Sequence, residues 1–145
     1  PAAEIQATGD TLAPSPEQLL AASVDEARQY LEGAGIQKGF FASSSAEGDV
    51  STISDEYLQK LKLFLDNNPS AGTEVTGHAD ITGPDPFNIE LGLKRAEFVK
   101  AFLVNAGIKG DQIVTSTKGS SEPAASNSTP EGRAANRRSE IKLII

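Results

Sequence analysis

Segments with helical apolar spacing alternate with short β-like runs along residues 15–145, and this alternation constrains the fold more than any other feature. "SPEQLLAASVDEARQYLEGAG" opens with Ser15 as N-cap, Pro16 at the first helical position and Gln18 completing a capping box. Leu20, Val24, Ala27 and Leu31 follow at helical spacing, and Gly33 or Gly35 can close the helix. "STISDEYLQKLKLFLDNNP" carries Leu58, Leu61 and Leu65 on one stripe, with Ser51, Thr52 and Ser54 competing as N-cap. A third helix is predicted from Asp85, its expected N-cap, to Gly107, with Ile89, Leu93, Ala96, Val99 and Leu103 as its core face. "IQKGFFASS", "GTEVTGHA" and "DQIVTSTKG" read as strands, and after a long polar loop "RSEIKLII" puts Ile141, Leu143 and Ile145 on one face of a fourth. Strands joined through helices pair in parallel with right-handed crossovers, whereas the last strand, reached through a loop, is free to pair antiparallel. The expected fold is an α/β sandwich: a mixed four-stranded sheet with helices on one face, a βαβαβ-β core plus an extra N-terminal helix. Residues 1–14, small and polar without apolar period, read as a flexible lead-in.

Composition narrows the function classes. At 145 residues the chain is sized for one domain with a real core, and its apolar runs are too short for a membrane span. Without cysteine it has no disulfide framework and no thiolate metal site. It also lacks methionine, even at its start, as expected of a processed protein or excised domain with any signal or anchor upstream of Pro1. The net charge is −7, and the whole imbalance falls in residues 1–72, which hold eleven acids and four bases. An acidic total with six Phe, two Tyr and no Trp argues against nucleic acid as a partner.

The residues that could carry chemistry gather around "TGHADITGPDPFNIELGLKRA". Asp80 ends a strand, and Asn88 and Arg95, seven apart, share a helical stripe with Leu91 and Gly92 between them. Gly92 costs the helix roughly 1 kcal/mol relative to alanine and leaves a notch where another molecule could approach. Thr82 and Gly83 supply a hydroxyl and a tight turn. A guanidinium binds a carboxylate through paired hydrogen bonds, and a carboxylate suits an ammonium. Asp80 and Arg95 together therefore complement a zwitterion, or else they simply pair with each other; spacing alone favours the internal pair. His78, the sole histidine, has no partner expected of a catalytic or metal site and is assigned to orienting the Asp80 loop by hydrogen bonding. The serine-rich loops lack a nucleophile-elbow pattern, and no pair of acids stands out for glycoside hydrolysis. The cluster Arg133, Arg137 and Arg138 reads either as ordinary packing before the last strand or as Arg138 placed at the rim of the pocket.

Taken in order, "GFFASSSAEG", "EVTGHADITG", "FNIELGLKRAEFVKAFLVNAGI", "IVTSTKGSSEP" and "NSTPEGRAANRRSEIKLII" resemble the OmpA-like peptidoglycan-binding family over about residues 37–145. "GHAD" followed by N-x-x-L-G-x-x-R-A is especially similar to its lipoprotein branch. The resemblance implies a periplasmic, non-catalytic domain of an outer-membrane protein or lipoprotein, without metal or cofactor. Its implied ligand is the meso-diaminopimelate stem of peptidoglycan, with envelope proteins as further partners and any membrane attachment through a segment upstream. It makes Asp80 the key acid and Arg95 the helix arginine, with Asn88, Thr82, Leu91, Arg138 and Phe41 around the ligand. The first-strand block, Phe41 to Gly48, departs from the family's F-D-F-D-S-A-E-L by replacing two acids and an aromatic. Residues 15–36 lie outside the usual core, as a helix that docks on the sheet or leads to an upstream module.

Overall fold

The computed structural model describes residues 13–145, so nearly all of the expected lead-in, residues 1–14, lies outside the described residues. Helix α1 (Pro16–Ala34) forms where the capping box demands it: Ser15 Oγ accepts from the Gln18 amide at 3.1 Å and Gln18 Oε1 from the Ser15 amide at 2.8 Å. Gly35 follows it at φ 69° and turns the chain into β1 (Gln37–Phe41). A two-residue strand β2 (Gly48–Asp49) folds back on β1. Helix α2 (Asp55–Asp66) starts at Ser54, whose hydroxyl accepts from the Tyr57 amide, so Ser54 prevails over Ser51 and Thr52. Strand β3 (Gly72–His78), helix α3 (Asp85–Asn105), strand β4 (Ile113–Gly119), helix α4 (Pro130–Asn136) and strand β5 (Arg138–Ile144) complete the chain.

The sheet has five strands in the order β2-β1-β5-β3-β4, one more than the apolar pattern predicts. The added strand β2 is too short to leave a periodic signal. Strands β3 and β4 are parallel across α3, and β5 inserts between β1 and β3, antiparallel to both. The loop before β5 holds α4, absent from the sequence expectation. Seven residues with few apolar side chains give no helical stripe; Thr129 caps the helix through the Gly132 amide.

Val75, Ile141 and Ile113 of the sheet meet Leu58, Leu61, Leu65, Val99 and Leu103 in one core, which Ala27 and Leu31 of α1 join from the outer side of α2. Gln112 seals the turn below this core, its amide nitrogen donating to Leu65, Asn68 and Ala71 carbonyls at 3.0, 3.2 and 3.1 Å. Gln112→Ala is expected to lower stability by about 2 kcal/mol in urea denaturation, because it removes three bonds from a buried amide to backbone carbonyls, two of which keep a backbone donor; a change below about 0.5 kcal/mol would show that these bonds contribute little.

Helix α3 departs from its expected orientation. Its buried stripe is Asn88, Leu91, Gly92, Arg95, Ala96, Val99 and Leu103, while Ile89 and Leu93 are exposed. The cause is Gly92, whose notch is filled from inside the protein. A Cβ on Gly77 of β3 would lie 1.6 Å from the Gly92 carbonyl oxygen, and one on Gly92 would lie 2.3 Å from Thr117 Oγ1. The helix must therefore present Gly92 to β3, which turns Asn88 and Arg95 inward and leaves two aliphatic residues outside. Pro84, not Asp85, occupies the N-cap, and Asp85 is the first helical residue.

Candidate functional site

The site forms where β3 delivers the chain to Asp80, beside the inward face of α3 and the entry to β5. Asp80 is 5% exposed. Its Oδ1 accepts from the Thr82 amide at 2.9 Å, closing a tight side-chain turn, and its Oδ2 accepts from Arg137 Nη1 at 3.1 Å. Burial pushes the Asp80 carboxyl upward, but the Thr82 amide and the Arg137 guanidinium outweigh it and hold the group below its ordinary value. The acid is therefore charged throughout the neutral range. The Thr82 side chain is exposed, and Gly83 sits at φ 91°, a turn geometry that favours glycine.

Arg95 is wholly buried and held by the backbone. Its Nε donates to the Ser45 carbonyl at 2.8 Å, Nη1 to the His78 carbonyl at 2.9 Å and Nη2 to the Ala42 carbonyl at 3.1 Å. The guanidinium lies 5.2 Å from the Phe41 ring centroid, and Phe41 in turn packs edge-on to Phe98 at 5.9 Å. Phe41 is thus a support beneath Arg95, itself buried. Burial lowers the Arg95 pKa to about 10, with Asp80 opposing the shift and Arg137 adding to it. Arg95 remains charged at neutral pH. The two guanidiniums of Arg95 and Arg137 then act on one carboxylate, which leaves the site one surplus positive charge.

Asp80 and Arg95 are electrostatic neighbours without direct pairing: the partner of Asp80 is Arg137, and the donors of Arg95 go to carbonyls. Arg137 also donates from Nε to the Phe41 carbonyl at 2.9 Å, tying β1 to the acid. Asn88 is buried against the loop, its Nδ2 donating to the Gly83 carbonyl at 3.2 Å while its Oδ1 has no partner among the described residues. Leu91, 8% exposed, borders a cleft of about 340 Å³ between α3 and the loop after β1, which Ser44, Ala46 and Phe87 also line.

Arg138 is placed elsewhere. It lies on the opposite sheet face, where Nε donates to Glu140 Oε2 at 2.7 Å and Nη2 to the Glu122 carbonyl at 3.0 Å. Side chains alternate along a strand, so residues 137 and 138 face opposite ways. The signal was present in the sequence: the alternation that sends Ile141 and Leu143 to the core sends Arg137 there too. His78 likewise acts differently from expectation. Its carbonyl, not its ring, holds the site together. The Ala42 and Ser45 carbonyls could not be found from side-chain chemistry, since any residue supplies a carbonyl.

Known proteins bear on this arrangement. Residues 40–137 match the family described as the OmpA family. The peptidoglycan-binding protein ArfA of Mycobacterium tuberculosis is 37% identical over 137 residues, covering 94% of this chain and 40% of that protein. Outer membrane protein A of Bordetella avium is 38% identical over 108 residues, covering 72% of this chain and 56% of that protein. The chain therefore corresponds to only part of either relative. Among solved structures, the peptidoglycan-associated lipoprotein from Burkholderia pseudomallei superposes with a TM-score of 0.64 at 25% identity, covering 74% of this chain and 89% of that one. The C-terminal domain of Helicobacter pylori MotB does so with 0.60 at 26% identity, covering 74% of this chain and 82% of that one. With the family match spanning most of its length and the fold shared with these structures, the chain belongs to the OmpA family.

Proposed function

We propose that the chain is a non-catalytic module that binds peptidoglycan through the zwitterionic end of meso-diaminopimelate and so anchors an envelope protein to the cell wall. The observation that carries this reading is the charge arrangement at Asp80: one buried carboxylate, fixed by the Thr82 amide and Arg137, with a second guanidinium behind it. The carboxylate takes an ammonium through its remaining lone pairs, and the surplus positive charge takes the adjacent carboxylate. Asp80, Arg137 and the Thr82 hydroxyl would face the ligand, Asn88 and Leu91 would shape its surroundings, and Arg95, supported by Phe41, would act from beneath. Arg138 is left to the opposite face.

Residues 37–145 form the wall-binding domain in this reading, and the helix within 15–36 is an addition to it. A periplasmic setting follows from the ligand, and no described helix is long and apolar enough to cross a membrane. Single-site binding need not be tight, because a lattice of stems raises the effective concentration.

Asp80→Asn tests the reading: it keeps the acceptor for the Thr82 amide and removes the charge, together with the bond from Arg137. Calorimetric titration with soluble diaminopimelate muropeptides should show affinity reduced at least about tenfold, the loss of one charge-assisted contact, with the thermal transition retained. Undiminished binding would eliminate this pocket. Failure of the wild type to bind either muropeptides or purified sacculi would point instead to a protein-assembly role for the same fold.

A further inference from the structure

On the sheet face opposite the helices, His78 is 2% exposed and neither ring nitrogen has a partner among the described residues. Four charged side chains act on the ring: Arg138 and Glu140 from β5, Lys118 from the end of β4, and Glu122 from the segment that follows. Neither acid bonds the ring. Glu140 is taken by Arg138 at 2.7 Å, and Glu122 faces Lys118 at 3.8 Å.

Residues 120–129 leave β4 beside His78, whose register partner is Gly119, and run on without helix or strand, most of them exposed. A few side chains hold this strap down. Asn136 Oδ1 accepts from the Ala124 and Ala125 amides at 2.7 and 2.9 Å, and Asn136 Nδ2 donates to the Ala125 carbonyl and to Asn127 Oδ1. Arg138 Nη2 pins the Glu122 carbonyl. Arg133 Nη1 adds a bond to the Asn127 carbonyl at 2.9 Å. All these ties run to side chains rather than to a helix or sheet ladder, and the segment is mostly exposed, which places it in the part of a fold that opens locally. The strap also reaches the ligand loop, because Asn127 Oδ1 accepts from the amide of Ile81, the residue after Asp80.

We propose that His78 and the 120–129 strap form a proton-operated latch on the Asp80 site. Near neutral pH the uncharged imidazole stays packed and the strap stays down. On acidification the ring takes up a proton that only a hydrated state accommodates. The strap then lifts, the Ile81 amide loses Asn127, and the loop carrying Asp80 loosens. Release of the wall ligand in acid follows from the peptidoglycan reading; the latch itself does not depend on it.

The sign follows from the ring's surroundings. Burial, reinforced by Arg138 and Lys118 against Glu140 and Glu122, pushes the His78 pKa from 6.5 down to about 4. An opened strap restores the ordinary value, so the open state binds the proton between pH 6.5 and 4 while the closed state does not, and falling pH favours opening. Between pH 7.5 and pH 5 the open population should rise at least about tenfold.

The test is amide hydrogen exchange on the full chain at the two pH values, corrected for intrinsic rates and read at Ala124 and Ala125. Protection there should fall at least about tenfold in the wild type. It should change less than about twofold in His78→Phe, or in His78→Gln if the first variant does not fold. His78 is the only histidine, so its NMR titration is unambiguous and should follow the loss of protection. Protection independent of pH in the wild type, or an equal fall in the variants, overturns the latch. Muropeptide titration separates the two ideas: affinity unchanged while the strap opens overturns release, whereas absence of binding at both pH values overturns the peptidoglycan reading and leaves the exchange result to decide the latch.

Discussion

Gly77→Ala is expected to abolish cooperative folding, or at least to destabilise the chain by more than about 4 kcal/mol, close to the whole stability of a typical domain. The new Cβ would sit 1.6 Å from the Gly92 carbonyl oxygen and 2.5 Å from its carbon, so the obstruction is backbone on a packed helix. No rotamer change relieves it. Helix α3 would have to withdraw from the sheet, uncovering Val99 and Leu103 from the core they share with Val75 and Ile141. Gly33→Ala in α1 is the matched control, since a Cβ there meets nothing within 4 Å. That variant should leave stability unchanged or raise it by up to about 1 kcal/mol through helix propensity. Urea denaturation followed by circular dichroism measures both. A Gly77→Ala protein within about 1 kcal/mol of wild type would mean that the Gly77–Gly92 contact does not fix the rotation of α3.

The same contact marks where the sequence was legible and where it was not. The existence of α1, α2 and α3 could be read from caps and apolar spacing, and Ser15 caps α1 as its capping box requires. The rotation of α3 could not. Apolar spacing nominates Ile89 and Leu93 for the core, but backbone proximity at Gly92 overrides it and buries Asn88 and Arg95 instead. A helix whose buried stripe includes an arginine and an asparagine carries little amphipathic signal, and that lack is itself characteristic of a site. The position of Asp80 was legible from the strand end before the Gly/Pro-rich loop. Its partner was legible in principle, because alternation along "RRSEIKLI" distinguishes Arg137 from Arg138; matching motif positions without following the strand's faces selects Arg138. The carbonyls that hold Arg95 were beyond reach, since they depend on how residues 42–45 turn, with Ser44 at φ 58°.

Arg95→Ala should cost both stability and binding, and the order of cause matters. Removing the guanidinium takes its donors from the Ser45 and His78 carbonyls, leaves the Ala42 carbonyl only the Ser45 amide, and empties a buried space over Phe41. A loss of about 3–5 kcal/mol follows from stranded acceptors and a cavity together. Muropeptide affinity should drop at least about tenfold as the loop after β1 is released and half of the site's positive charge disappears. Lost binding in this variant alone therefore does not make Arg95 a ligand contact. Arg95→Lys separates the two roles: the charge is kept, but a compact ammonium on a flexible stem does not reproduce a planar fork bonded to three separate carbonyls. If the clamp is the main role, Arg95→Lys should lose exchange protection around residues 42–47 and lose affinity nearly as much as Arg95→Ala. If the charge is the main role, affinity should be largely retained while protection falls. Retained stability and loop protection in Arg95→Ala would contradict both, because a buried guanidinium bonded to the end of β3 and to the loop after β1 would then hold nothing in place.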